Sequence, residues 1–254
     1  MAKKIKLAIA LAAIALCAVG ILTACKPPKT NLELVADTVS TYQTGLWTGN
    51  HEAMDIALTV MQEEDVFLTD GLVGTQVART QLSLRPKQVE LLDKTFTYTL
   101  TGESGELKGQ LTRNRLGVSF TADITGLDGI GAVQSVTIHD GETEYAIELS
   151  NRLDGMIDYL AALKIGYETF QPQIDALLGE KAWNREVYIR MIHDAHSPSG
   201  GYYWYVSFIA SRDDYWAVLM TTDSGQIVSK RMHSPQGEQE TSGPTTPQSP
   251  TIPQ

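Results

Sequence analysis

Between residues 96 and 124 the chain changes polarity at almost every step. Phe96, Tyr98 and Leu100 alternate with threonines. Leu107, Gly109 and Leu111 alternate with Glu106, Lys108 and Gln110, and Val118, Phe120, Ala122 and Ile124 alternate with Ser119, Thr121 and Asp123. Successive side chains of a strand point to opposite faces, so this period of two predicts antiparallel strands with one apolar and one wet face. The loop at 102–105 and a turn at Asn114-Arg115 give an expected register. In it Leu100 faces Leu107, Leu111 faces Val118, and Gly109 lies between Tyr98 and Phe120, whose rings cover the gap at the glycine. The Asp140-Gly141 dipeptide predicts another hairpin, through a type I′ turn with positive φ at both central residues, which sets Val136 opposite Tyr145. The apolar side of this sheet, around Tyr98, Leu100, Phe120 and Ile124, is a candidate face for a lipid or other hydrophobic ligand.

The flanks read partly as helix. Asn31 is placed to cap a helix whose Val35, Val39, Tyr42 and Leu46 form one stripe, ended between Gly45 and Asn50. Met54, Ile56, Leu58 and Val60 then alternate as a strand, and residues 72–84 are a weaker strand candidate. Helical spacing returns over 156–178, with Gly166 and Pro172 suggesting a break and Gly179 a stop. Residues 185–192, 201–210, 215–221 and 226–232 read as four strands, the last two joined by the turn Asp223-Ser224-Gly225. The expected fold class is α+β: an N-terminal helix, an antiparallel β-meander packed on helices, and a second, smaller helix-plus-antiparallel-sheet unit. The expected units are a leader at 1–24, a tether at 25–30, folded parts at 31–150 and 151–233, and a tail at 234–254. That tail holds five prolines among Ser, Thr and Gln and too little apolar surface to offset the entropy of folding.

The leader carries Lys3, Lys4 and Lys6 ahead of an unbroken apolar run at 7–21, the charge order of a secretory signal. The run meets Leu22-Thr23-Ala24-Cys25, and here the chain resembles bacterial lipoprotein precursors, whose lipobox is an aliphatic residue, two small residues and an obligate cysteine. The resemblance implies recognition of Leu22, Thr23 and Ala24 by signal peptidase II, cleavage before Cys25, and a diacylglycerol on its thiol. Two or three acyl chains, at about 0.8 kcal/mol per buried methylene, hold a protein stably on a bilayer. An uncleaved signal anchor is the alternative, because the apolar stretch approaches the roughly 20 residues a spanning helix needs. Cys17 leaves with the leader, so a mature chain has Cys25 alone and no internal disulfide. The expected location is the extracytoplasmic side of the cell membrane. Losing the three leader lysines takes the formal charge from −10 to −13, which disfavours nucleic acid and anionic lipid headgroups as partners.

Two further likenesses concern the fold. YWAVLMTTDSGQIVSK resembles the end of a PepSY-type domain at Asp223, Gly225 and Ile227, and the helix followed by a meander is similar in outline to the half-open barrels of lipoprotein-carrier-like proteins. A fold does not fix a function, and the chemistry must come from side chains. The sequence has no Gly-x-Ser-x-Gly, no His-Glu-x-x-His, no phosphate-cradling Gly-x-x-x-x-Gly-Lys-Ser/Thr and no unlipidated cysteine once the leader is removed. His193-Asp194-Ala195-His196 has ligand types but sits in an apparent Ser/Pro/Gly loop, so we expect no metal and no cofactor. Tyr202 and Trp204, on one face of an aromatic strand, are a candidate stacking surface, although strand propensity explains the same residues. The sequence thus predicts a non-enzymatic, lipid-anchored binding or interaction module for an envelope protein or ligand it does not identify. The alternative is a carrier or sensor of a hydrophobic ligand on the face around Tyr98.

Overall fold

A computed structural model describes residues 28–66, 68, 70–114, 117–194 and 201–234. The leader, Cys25, Arg115, His196 and the tail beyond Ser234 lie outside the described residues. The regular elements of the N-terminal half are α1 (Asn31–Ala36), β1 (Val39–Asn50), β2 (Met54–Glu64), β3 (Gln76–Pro86), β4 (Phe96–Gly102), β5 (Glu106–Arg113), β6 (Phe120–Asp123), β7 (Val133–His139), β8 (Glu144–Glu148) and β9 (Ser150–Asn151). There follow α2 (Tyr159–Thr169), α3 (Gln171–Gly179), β10 (Glu186–His193), β11 (Tyr202–Ser211), β12 (Asp214–Thr221) and β13 (Ile227–His233).

This topology corrects the expected α+β class. Thirteen strands join one sheet in the order β13-β12-β11-β10-β1-β2-β3-β6-β5-β4-β7-β8, with β9 also on β1, and the described helices are three short ones. The largest error is at 31–46. The helix stops at Ala36, after a capping box in which Thr30, not Asn31, is the cap and Glu33 its partner. Residues 39–50 form β1 instead, and its pairing shifts register between Val39 and Thr41 and again between Gln43 and Gly45. A bulge moves the following side chains to the other face, so Val39 and Tyr42, three apart, both reach the same core. A bulged strand can therefore imitate the spacing of a helix.

β1 organises the molecule. One edge pairs with β2; the other pairs first with β10, in parallel, through Val39, Thr41 and Tyr42, then with β9 through Trp47 and Thr48. Because β9 continues β8 after a single residue, that second contact closes an eight-stranded barrel, where the half-barrel likeness implied an open one. Closure requires Gly49: a Cβ there would stand 2.4 Å from Ile147 Cγ2 and 2.7 Å from the Glu148 carbonyl. Eight strands leave an interior that side chains just fill. Met54, Leu58, Leu82, Leu84, Phe96, Leu100 and Ile138 fill it here, with Phe96 edge-on to Phe120 at 4.8 Å between centroids.

Beyond the barrel, β10 to β13 extend the sheet from the other part of β1, and one of their faces is covered by the helices. Leu163, Phe170 and Ile174 pack there against Val187, Trp204, Val206, Phe208 and Val218. Gly166 is no helix break: a Cβ would stand 2.9 Å from Val206, so the glycine lets α2 sit down on β11. The break falls at Phe170, where Pro172 opens α3 in the first turn.

Two expected registers also change. Val136 pairs with Ile147 and Ile138 with Tyr145, because the Asp140 carboxylate accepts from the backbone N–H of Glu142 and Thr143 and moves the turn one residue on. Leu100 does face Leu107 and Tyr98 faces Gly109, but Val118 lies before β6 and is exposed, so Leu111 does not meet it. Tyr98 alone covers Gly109, its hydroxyl 2.6 Å from where a Cβ would be.

Candidate functional site

The loop from β2 to β3, residues 65–75, exposes apolar side chains where a chain of this composition would be expected to bury them. Val66, Leu68 and Leu72 are 67%, 54% and 69% exposed, and Val73 is more than a third exposed. Single exposed aliphatics are ordinary, but several on one loop make a patch. The strand expected from residue 72 starts at Gln76, which leaves Leu72 and Val73 outside the ladder.

Beneath the loop lies a buried polar cluster. Glu186, fully buried at the start of β10, accepts from the Gly71 N–H at 3.4 Å. Glu64, buried at the end of β2, accepts from the Gly74 N–H at 2.6 Å, and the Tyr188 hydroxyl donates to the Leu68 carbonyl at 3.0 Å. Gly71 has φ of 81°, and a Cβ on it would fall 1.9 Å from the Asn184 carbonyl, so the loop lies hard against the entry to β10. The Glu186 carboxyl is pushed up to about 7, chiefly because burial disfavours its charged form. A hydrogen bond with Tyr188 opposes the shift and the neighbouring Glu64 charge adds to it. Burial likewise raises the Tyr188 hydroxyl.

Beside the loop is a groove of about 430 Å³. Val73 and Gly74 line one side, Ala36 and Asp37 at the end of α1 another, and Tyr42, Tyr159 and Leu160 the rest. The Tyr42 and Tyr159 rings stack at 4.4 Å, and Leu160 is largely exposed. α1 is fixed against the helices: Asp175 accepts from Asn31 Nδ2 at 2.9 Å, from the Tyr167 hydroxyl at 2.7 Å and from Gln171 at 3.2 Å. Those bonds, the Tyr167 one first, hold the Asp175 carboxyl below the usual carboxylate range. Lys29 pairs with Asp37 at the surface, beside this same groove.

The residues singled out in the sequence fall elsewhere. Tyr98, Leu100, Phe120 and Ile124 come together, but as packed barrel interior, all buried. A second groove of about 550 Å³ does touch Tyr98, Leu107 and Gly109, where β5 and β6 share only two residue pairs; its other walls include Gln81, Gln110 and Asp123. The expected Tyr202 and Trp204 surface is corrected: Trp204 is core, its indole N–H donating to the Ile157 carbonyl at 3.0 Å. The face of β11 turned away from the helices holds Tyr203 and Tyr205, half-buried, and further along it Ile209, which pairs with Tyr215 of β12. Trp204 shares its phase with Val206 and Phe208, and that alternation is the signal that would have identified the core face. The His193 ring lies against Tyr202 at 4.9 Å. Among the described residues no three His, Cys, Asp or Glu side chains are grouped to hold a metal, and no helix is long and apolar enough to cross a membrane. Leu22, Thr23, Ala24 and Cys25 lie outside the described residues.

No known protein family matches the chain, and no curated protein or solved structure matches it either.

Proposed function

We propose that this chain is a membrane-anchored extracytoplasmic lipoprotein, tethered through a lipid on Cys25, whose folded part is a non-enzymatic interaction module. The lipobox Leu22-Thr23-Ala24-Cys25 supports the anchor. The observation that carries the module is the exposed aliphatic loop at 65–75, which shares a groove with the first folded residues after the tether. The paired carboxyls Glu64 and Glu186 act in this reading as supports: both are buried and both accept loop N–H groups. The carrier reading draws no support from the barrel, since its four residues are packed interior. The acidic balance of the chain argues against nucleic acid as the partner.

The anchor is tested by feeding cells a clickable palmitate. The wild type is expected to carry the label and to sediment with membranes; label retained on Cys25→Ala would refute the assignment.

A further inference from the structure

We infer that the partner of the 65–75 loop is the bilayer itself: the loop docks its aliphatic side chains on the membrane surface and gives the lipid-anchored protein a second point of contact. This rests on the anchor proposed above.

The length of the tether points that way. Three residues, Lys26 to Pro28, separate Cys25 from Lys29, and the four Cα-to-Cα steps reach at most about 14 Å. A folded unit of about 200 residues has a radius of gyration of about 16 Å. So short a lead cannot let the molecule turn its far side to the membrane. The lead also ends beside this groove, because Lys29 pairs with Asp37, and Asp37 lines the groove together with Val73 and Gly74. The side of the molecule held nearest the bilayer is therefore the side that displays Leu72 and Val73, with Leu160 across the groove.

The loop is built for such a contact. Its backbone is secured by bonds from Gly71 to Glu186, from Gly74 to Glu64, from Tyr188 to the Leu68 carbonyl and from Asp65 to the Thr75 carbonyl. Backbone already bonded at Asp65, Leu68, Gly71 and Gly74 loses little entropy on docking, so apolar area converts more fully into binding. Charge decides the lipid class. Asp65 and Asp70 flank the exposed side chains and no lysine or arginine lies between residues 54 and 78, so the contact is apolar and anionic headgroups oppose it.

The test uses the full lipidated chain, with Leu72→Cys carrying an environment-sensitive dye, reconstituted into phosphatidylcholine vesicles. Leu72 is exposed, so the substitution leaves the fold intact; Leu160→Cys samples the opposite wall of the groove, and Val89→Cys, on the barrel, serves as a wet control. The dye at 72 is expected to shift to the blue on vesicles and to be quenched by chain-brominated lipid, unchanged by added salt, while the dye at 89 stays wet. A dye at 72 as wet on vesicles as the control overturns the inference; if it then becomes buried only in native membranes, the loop meets a protein instead. Palmitate labelling of Cys25 in the same preparation separates the two proposals. Label with an unquenched probe defeats the docking alone, and a quenched probe without label defeats the anchor alone.

Discussion

Replacing Glu186 with Gln should abolish a specific dependence of stability on pH. Its carboxyl is held at about 7 in the fold against an ordinary 4.5, mainly by burial, with Glu64 adding to the shift and Tyr188 opposing it. At about 1.4 kcal/mol per unit, this is a differential of roughly 3 kcal/mol. The sign follows from the direction. A folded pKa above the unfolded one means that the folded state binds the proton more tightly, so the contribution is fully present below about pH 4.5 and is lost as pH rises through about 7. Urea unfolding followed by tryptophan fluorescence at pH 5, 6, 7 and 8 reads this directly, because Trp204 and Trp216 lie in the core that β10 shares. The wild type should lose about 2.5 kcal/mol from this group between pH 5 and 8, since part is already lost at pH 5, and Glu186→Gln should be flatter by that amount. For a chain of this size the same loss lowers Tm by roughly 5–10 °C. Equal slopes in the two proteins, or a wild type that gains stability from pH 5 to 8 relative to the variant, would refute the reasoning.

Other consequences are local. Gly49→Val places a side chain against Ile147 and the Glu148 carbonyl, and is expected to lower stability by roughly 2–3 kcal/mol in thermal unfolding, with added amide exchange in β9. Asp214→Ala leaves the buried Arg185 guanidinium without its two bonds of 2.9 and 3.0 Å, over the Trp216 ring, and should destabilise by roughly 3 kcal/mol in the same assay. Trp204→Ala should cost roughly 3–5 kcal/mol, whereas Tyr203→Ala, on the other face of β11, should cost far less. Comparable losses at 203 and 204 would mean that the faces of β11 are assigned the wrong way round.

What could be read in the sequence was set by how local its cause was. Alternation marked the positions of β4, β5 and β10 to β13, because a period of two needs no knowledge of the partner strand. The Leu100–Leu107 and Tyr98–Gly109 pairs followed from a short loop that leaves one register. The Asp140 hairpin slipped because a side-chain carboxylate, not the Asp-Gly dipeptide, centres the turn. β1 was misread because two bulges gave it helical spacing, and no local rule announces a bulge. Barrel closure was hidden for another reason: it depends on a two-residue strand, β9, meeting a strand about a hundred residues earlier.

The candidate site was the least legible part. Residues 65–75 carry aliphatics beside acids and glycines without alternation, a pattern with no local signature, and its last part reads as the start of a strand. Its supports, Glu64 and Glu186, stand more than a hundred residues apart and meet only because β10 lies parallel to β1 while β2 lies antiparallel to it. Nothing near either glutamate marks it as buried. Trp204 belongs to the core face because it shares its phase with Val206 and Phe208; aromatic content alone does not separate the two faces of β11.

Hydrogen exchange on the lipidated chain, compared between detergent micelles and phosphatidylcholine vesicles, tests the central claim most directly. Protection should be gained on vesicles in peptides spanning 65–75 and around Tyr159 and Leu160, with β10 to β13 and the barrel unchanged. Protection gained instead over Tyr203, Tyr205 and Tyr215, with 65–75 exchanging as fast as in micelles, would contradict it.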